Sequence, residues 1–170
     1  MSKLQTPFRY DFVGSFLRPQ VLKDAKAAYR DGKISKEEFD KVVDEEIIKV
    51  VAKQKELGFH AITDGEFRRT FWHLDFMWGL DGVAHENTGN GVKFDAELAV
   101  LDDTYLVGKI KAKAHPFVEY FKFLKQFEDE NTVAKYTIPA PAQTFQQMIV
   151  PDNIANTRKF YPANEELIQD

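Results

Sequence analysis

Apolar residues recur at every third or fourth position from Phe39 to Leu57, and this spacing predicts one long amphipathic helix. Ser35 and Glu38 stand ahead of the apolar stripe with the three-residue spacing of a capping box, and Gly58 follows it as a C-terminal stop. The short apolar run at residues 59–63 comes directly after this glycine and predicts a buried strand.

The remaining patterns predict shorter elements. They are, in chain order, a strand at residues 12–16, helices at 22–29 and 71–78, a glycine-rich loop at 79–91, an antiparallel hairpin from Val92 to Lys113 with Asp102 and Asp103 at a turn, a helix at 117–127, a strand at 133–138, a short helix through Phe145 and Met148, and the start of a helix at 165–168. Strands and helices therefore alternate over much of the chain.

Alternating strands and helices are typical of a parallel α/β fold with right-handed crossovers. The three expected parallel strands lie near residues 12, 60 and 135. A closed barrel takes roughly 250 residues, so the chain is either a small open sheet or part of a larger barrel. We favour the second: a single domain over residues 1–170, the N-terminal portion of an incomplete (βα)8 TIM barrel, with an inserted β-hairpin and a barrel that continues beyond Asp170.

Composition narrows the classes of function. The fractions of apolar residues, 44%, and of charged residues, 29%, are ordinary for a folded protein. A net charge of −4 and the lack of a basic arm argue against a nucleic-acid-binding surface. No apolar run is long enough to span a bilayer or resembles a signal segment, so we expect no membrane partner and a cytoplasmic location. Because there is no Cys, the chain itself has no disulfide, thiolate nucleophile or Cys-based zinc site.

Charged and aromatic residues are most concentrated at residues 63–72, which read Thr-Asp-Gly-Glu-Phe-Arg-Arg-Thr-Phe-Trp. A change from apolar to densely charged residues is typical of a strand that delivers functional groups at its end. Asp64 and Glu66 would point to the same side in extended backbone, and Gly65 permits a sharp turn between them. These residues alone are equally consistent with a solvated turn in which the carboxylates pair with the neighbouring arginines.

In a barrel, this turn would lie at the C-terminal end of a strand, where active sites are built. Glu66 could hold the ammonium group of an amino acid by a charge-assisted hydrogen bond. Arg68 and Arg69 could each hold a substrate carboxylate or brace Glu66. We place Asp64 and Trp72 in the same group of substrate-binding or bracing residues.

A second candidate is the Gly14-Ser15 pair at the end of the first expected strand. A serine beside a glycine can offer both its hydroxyl and its backbone N–H to a ligand carboxylate. Arg18, three residues on, joins the group of substrate-binding or bracing residues. On this motif alone, a plain strand-to-helix turn is the favoured interpretation. The four histidines lack the paired spacing of a metal site, so no metal ligand is assigned.

Together these motifs resemble the cobalamin-independent methionine synthase family, specifically its catalytic C-terminal barrel and its shorter stand-alone relatives. The resemblance runs from about Phe12 to Val83. Val13–Phe16 resembles the family's opening strand, and Ala27–Ser35 resembles the linker into the long helix, which ends at Gln54–Gly58. Asp64–Glu66 with Arg69 resembles a Gly-Glu-x-x-Arg segment. Ile138–Thr144 is a weaker match to a Gly-Pro-x-Thr segment.

The resemblance implies a (βα)8 barrel in which zinc binds the thiol of homocysteine and the thiolate takes a methyl group from a methylfolate. It implies that Ser15 contacts the carboxylate of the small-molecule amino-acid thiol and that Glu66 binds its ammonium group. The family's zinc ligands are His, Cys, Glu and Cys in the later part of the barrel. We therefore expect no catalytic residue and no zinc ligand in this chain, which should be inactive alone.

Two alternatives remain open at this stage. One is a different enzyme on the same barrel, either a thiol-alkyl lyase or a decarboxylase. The other is a non-catalytic binding or assembly module that forms a homo-oligomer through the open edge of the barrel.

Overall fold

The structure is a computed structural model that describes residues 12–89, 91–94, 97–100 and 102–170. The helices are α1 (Gln20–Arg30), α2 (Lys36–Glu56), α3 (Leu74–Trp78), α4 (Pro116–Lys125), α5 (Pro141–Ile149), α6 (Pro151–Thr157) and α7 (Asn164–Gln169). The strands are β1 (Ala61–Ile62), β2 (Asp81–Glu86), β3 (Gly91–Phe94), β4 (Glu97–Val100), β5 (Asp103–Lys111) and β6 (Val133–Ala134). Two compact units result: a first unit up to Trp72 together with Val118–Thr137, and a second unit of His73–Phe117 with Ile138–Asp170.

The long helix of the first unit begins and ends where the sequence predicts. Ser35 Oγ accepts the Glu38 N–H at 3.1 Å, and Glu38 Oε2 accepts the Ser35 N–H at 2.7 Å, which completes the capping box of α2. At the other end Gly58 has φ +79°, and the Phe59 N–H bonds the Gln54 carbonyl at 3.0 Å. This is a Schellman-type stop, because a residue in left-handed conformation lets the chain satisfy the last carbonyls of the helix.

Two of the three predicted parallel strands are present, each shorter than expected. β1 pairs in parallel with β6, with Ala61 opposite Val133 and Ile62 opposite Ala134. α2 packs its apolar stripe on this pair, and the resulting core of the first unit contains Leu22, Val43, Ile47, Val51, Ile62, Phe67 and Leu124. The expectation of a parallel α/β arrangement is therefore confirmed for this unit.

The expected strand at residues 12–16 is wrong, because the described backbone there is irregular. Gly14 has φ +95°, which is incompatible with extended pairing through the segment. A backbone bond of 3.1 Å from the Phe16 N–H to the Gly65 carbonyl nevertheless brings this segment to the end of β1.

The second unit corrects the prediction of a loop at residues 79–91. β2 lies there and pairs antiparallel with β5, with Val83 opposite Leu106, while β3 and β4 pair antiparallel with each other. Gly82 serves close packing within a strand, since a Cβ at this position would lie 2.3 Å from the Lys109 carbonyl oxygen. The hairpin expected over Val92–Lys113 forms with different pairing: β3 pairs with β4 and β5 pairs with β2, so the turn expected at Asp102 and Asp103 does not join two paired strands. Residues 95, 96 and 101 of this segment lie outside the described residues.

α6 was not predicted from sequence. Pro151 occupies its first turn, and Asn153 and Asn156 donate side-chain hydrogen bonds to the carbonyls of Thr104 and Leu106 in β5. Among the helices described here, none combines the length and the apolar character needed to cross a membrane.

Candidate functional site

The turn after β1 is built by α2. The buried Gln54 side chain accepts the Thr63 N–H at 2.9 Å and donates to the Thr63 carbonyl at 2.8 Å, which fixes the end of the strand against the helix. Gly65 and Glu66 then follow with φ +65° and +59°. Two consecutive residues in left-handed conformation reverse the chain sharply, and the second of them carries a full side chain.

The carboxylate of Glu66 is the centre of the first unit's polar cluster, and the residue is only 4% exposed. Its Oε2 accepts a hydrogen bond from Ser15 Oγ at 2.5 Å. Its Oε1 accepts from Thr137 Oγ1 at 2.8 Å and from Arg69 Nη1 at 3.0 Å. Three segments far apart in sequence therefore converge on one buried carboxylate, two of them at the C-terminal ends of the paired parallel strands.

Arg69 braces Glu66. Its side chain is 1% exposed, and its Nη1 also reaches the Trp72 carbonyl at 3.4 Å. Its Nη2 donates to the Thr137 carbonyl, and its guanidinium lies 4.8 Å from the centre of the Tyr136 ring. Between holding a substrate carboxylate and bracing Glu66, the geometry therefore favours bracing for this arginine.

Arg68 points elsewhere. Its guanidinium forms an ion pair with Asp44 of α2 and lies 5.0 Å and 4.8 Å from the ring centres of Tyr120 and Phe123. These partners place Arg68 between α2 and α4. The structure therefore gives different partners to two adjacent arginines for which the residues alone left the same two roles open.

Arg18 supports the backbone of the turn. Its Nη2 donates to the Glu66 carbonyl at 3.2 Å and to the Arg69 carbonyl at 3.0 Å, and Lys26 Nζ reaches the Arg69 carbonyl at 3.3 Å. Both cations come from the segment that leads into and through α1. They give the Arg69 carbonyl its side-chain donors and add a second donor to the Glu66 carbonyl, which also accepts the Arg69 N–H at 3.1 Å.

Asp64 is 3% exposed and its Oδ1 accepts the Glu66 N–H at 2.9 Å. Burial raises the pKa of the Asp64 carboxyl, while the Glu66 N–H and the charge of Arg69 oppose that rise. Burial, and then the charge of Asp64, raise the pKa of the Tyr136 hydroxyl. Asp64 thus lies beneath the turn, on the side away from solvent.

Ser15 defines the solvent side of the cluster. It is exposed, whereas the Glu66 carboxylate that its hydroxyl contacts is buried. Gly14 beside it is partly buried. The Trp72 side chain is 51% exposed, and this residue contributes its carbonyl to Arg69.

Three residues of the site were not predicted from sequence: Gln54, Tyr136 and Thr137. Thr137 follows β6 at the position that corresponds to the charged turn after β1. Because the carboxyl ends of neighbouring parallel strands meet at one edge of a sheet, that position was the available signal.

The zinc ion implied by the family resemblance does not fit the residues present. The sequence has no Cys, and in the part of the chain that is described no group of three or more His, Asp or Glu side chains is arranged to hold a metal. No chemical step is therefore assigned here to a metal.

Comparison with known proteins gives one family. The model of the cobalamin-independent synthase catalytic domain matches residues 10–114. YxjH and YxjG of Bacillus subtilis (strain 168), both uncharacterized, are each 37% identical, over 83% and 85% of this chain and 37% and 38% of their own lengths. The 5-methyltetrahydropteroyltriglutamate–homocysteine methyltransferase of Thermotoga petrophila is 38% identical over 45% of this chain and 10% of its own length.

Solved structures agree with this result. A candidate vitamin-B12-independent methionine synthase from Listeria monocytogenes is 35% identical with a TM-score of 0.69, over 99% of this chain and 50% of that one. A B12-independent methionine synthase from Shewanella sp. W3-18-1, in complex with selenomethionine, shares the fold at 21% identity with a TM-score of 0.53, over 80% of this chain and 36% of that one. The chain therefore spans half or less of the length of these relatives.

Proposed function

The chain belongs to the cobalamin-independent synthase catalytic-domain family, and we propose that it binds the amino-acid part of a homocysteine-like thiol for methyl transfer. The observation that carries this proposal is the hydrogen bond from the exposed Ser15 hydroxyl to the buried Glu66 carboxylate. It joins the two motifs that the family resemblance assigns to one ligand, and it connects the buried carboxylate to an exposed residue.

Glu66 binds the ammonium group in this proposal. An ammonium is a triple donor, so it can take the place of the Ser15 hydroxyl on Oε2 while Thr137 and Arg69 keep their bonds to Oε1. The carboxylate then keeps its orientation as the ligand enters. Because the site is buried, a charge-assisted bond here is stronger than the same contact in water.

Ser15 binds the other end of the amino acid. Once the ammonium occupies Oε2, the serine hydroxyl is free to rotate and donate to the ligand carboxylate. The Ser15 backbone N–H is a second donor of the kind that carboxylates prefer. Arg69 and Arg18 stay with the turn, where their hydrogen bonds hold the geometry of Glu66.

We further propose that β1 and β6 are strands of a (βα)8 barrel and that the antiparallel strands of the second unit are an insertion in it. The methyl donor in this proposal is a methylfolate, and the thiol is activated by zinc held on family segments that this chain does not match. Because the chain has no Cys and no metal cluster among its described residues, we expect it to lack methyl transfer alone. A cytoplasmic location and a homo-oligomer through a free strand edge stay predictions.

Binding is tested by NMR titration of the 170-residue chain with four ligands. L-homocysteine and L-methionine carry both charged groups, 4-mercaptobutanoate lacks the ammonium, and 3-mercaptopropylamine lacks the carboxylate. We expect the two amino acids to shift the amide signals of Ser15 and Glu66 and to bind at least about tenfold more tightly than either analogue. Equal affinity for 4-mercaptobutanoate and L-homocysteine would remove the role given to Glu66.

Metal content and turnover test the second part of the proposal. The purified chain should hold no stoichiometric zinc and should transfer no methyl group from a methylfolate to L-homocysteine. Tight zinc at one equivalent, or turnover, would show that the chemistry lies in this chain.

A further inference from the structure

Glu66 has an unusual backbone for a binding residue. Its φ of +59° makes it the one non-glycine residue with positive φ among the described residues. A side chain with a Cβ disfavours this conformation, which persists only where the surroundings enforce it. The orientation of the carboxylate towards Ser15 and Thr137 starts from this backbone, so whatever enforces it also sets the site.

Two side-chain acceptors enforce the turn. Asp64 Oδ1 accepts the Glu66 N–H at 2.9 Å, and Thr63 Oγ1 accepts the Gly65 N–H at 3.2 Å. Only the first of these acts on the residue that carries the functional carboxylate. Aspartate is the residue type best suited to such a local turn, since its short side chain reaches the N–H two residues on.

Burying a carboxylate costs free energy unless hydrogen bonds or a nearby opposite charge compensate for the lost water. Asp64 is 3% exposed, and removing it from water disfavours its charged form. Asp64 lies against Tyr136, whose ring carries the Arg69 guanidinium at 4.8 Å. Asp64 therefore supports Glu66 directly, by accepting the Glu66 backbone N–H.

We propose that Asp64 is a positioning residue for the amino-acid site: it holds Glu66 in the left-handed conformation from which the Glu66 carboxylate binds the ligand. This inference rests on the proposed function of Glu66. Without the acceptor, the buried Glu66 N–H loses its partner and the backbone leaves this conformation for part of the time. The apparent dissociation constant then rises by the inverse of the fraction that remains competent.

The test is a graded series, Asp64→Asn, Asp64→Ser and Asp64→Ala, in the 170-residue chain with L-methionine as the NMR probe. Asparagine keeps the acceptor, serine offers a weaker one, and alanine offers none. We expect Asp64→Asn to bind within about threefold of the unchanged chain, Asp64→Ala about tenfold more weakly, and Asp64→Ser in between. The Glu66 amide hydrogen should exchange faster with solvent in the order Asn, Ser, Ala.

A stability control separates positioning from simple loss of fold. Val51 lies in the core of the same unit at 2% exposure, so Val51→Ala destabilises the unit while it leaves both side-chain acceptors of the turn, Thr63 and Asp64, in place. Val51→Ala should keep the affinity for L-methionine at a temperature where it is folded. If Val51→Ala loses as much affinity as Asp64→Ala, or if Asp64→Ala binds as well as the unchanged chain, the inference is wrong.

If Asp64→Ala does not fold, the affinities of Asp64→Asn and Asp64→Ser for L-methionine test the positioning role. Equal affinities of these two variants would overturn the inference. The two proposals also fail differently. If the unchanged chain does not bind L-methionine, the proposed function fails and this inference fails with it. If the unchanged chain binds and Glu66→Gln does not, but the Asp64 series binds uniformly, only the positioning role is removed.

Discussion

Arg69 and Glu66 form an ion pair of 3.0 Å in which the two side chains are 1% and 5% exposed. A pair this deeply buried is not explained by a gain in stability, since desolvation offsets most of the attraction between the charges. The pair instead fixes the direction of the Glu66 carboxylate, whose remaining oxygen faces the exposed Ser15. The adjacent Arg68 has a different partner, so the two arginines form a matched comparison.

Arg69→Met and Arg68→Met should differ sharply in stability. Arg69→Met leaves the Glu66 carboxylate buried without its cation, and we expect a loss of about 3–5 kcal/mol in the free energy of unfolding. Arg68→Met leaves Asp44, which is 38% exposed and can be hydrated, so the loss should be about 1 kcal/mol. Urea unfolding monitored by circular dichroism measures both. Similar losses in the two variants would contradict the distinct roles given to them.

Gly65→Ala should cost more than Gly58→Ala, although both glycines have positive φ. A Cβ on Gly65 would lie 2.8 Å from Phe16 Cδ2, whereas nothing lies within 4 Å of a Cβ on Gly58. Gly58→Ala should therefore cost only the conformational strain, about 1 kcal/mol. Gly65→Ala adds overpacking of about 1–3 kcal/mol. Equal midpoints in urea for the two variants would show that Phe16 does not pack on the turn as described.

The stability of the chain should depend on pH through Asp64. Burial raises the pKa of Asp64 in the folded state above its ordinary value of 3.8, so the folded state binds the proton more tightly than the unfolded state. The Asp64 contribution is therefore most favourable below the unfolded pKa and is lost as pH rises through the raised folded pKa. The difference in unfolding free energy between the unchanged chain and Asp64→Asn should accordingly shift in favour of the unchanged chain as pH falls through that window. A difference that stays constant with pH, or that shifts the other way, would contradict the burial of Asp64.

The capping box of α2 gives a test of the fold that is independent of the site. Ser35→Ala removes the acceptor for the Glu38 N–H and should lower the free energy of unfolding by about 1 kcal/mol. Ser35→Asp keeps an acceptor at the same place and should restore most of that loss. Thermal unfolding of both variants measures it, and a loss that aspartate fails to restore would indicate that the capping bond is unimportant.

Local signals predicted much of the first unit. The α2 stripe, its capping box and Gly58 lie within about six turns of one helix, and each depends only on neighbours in sequence. The family resemblance assigned Ser15 and Glu66 to one ligand, and the two side chains are hydrogen-bonded, although the strand expected at residues 12–16 is absent. The family prediction is confirmed by the match to residues 10–114.

The features that were not predicted depend on contacts between residues far apart in sequence. The direction of Arg68 depends on Asp44, 24 positions away in sequence, whereas Arg69 combines its local partner Glu66 with a bond to Thr137, 68 positions away. The strand β2 was missed because Gly82 and the glycines on either side of the strand are typical of loops, whereas Gly82 is required by the close approach of the Lys109 carbonyl. Asp64 was expected to point to the same side as Glu66 on the assumption of extended backbone, whereas Gly65 and Glu66 are left-handed and Asp64 accepts the Glu66 N–H.

The most direct test of the account is the dissociation constant of L-homocysteine for the unchanged chain and for Glu66→Gln. Glutamine keeps the size of the side chain and removes the charge that the ammonium group requires. We expect Glu66→Gln to weaken L-homocysteine binding roughly tenfold to a hundredfold, while the weak binding of 4-mercaptobutanoate stays unchanged. Equal affinity of the two chains for L-homocysteine would contradict the claim that Glu66 holds the amino acid.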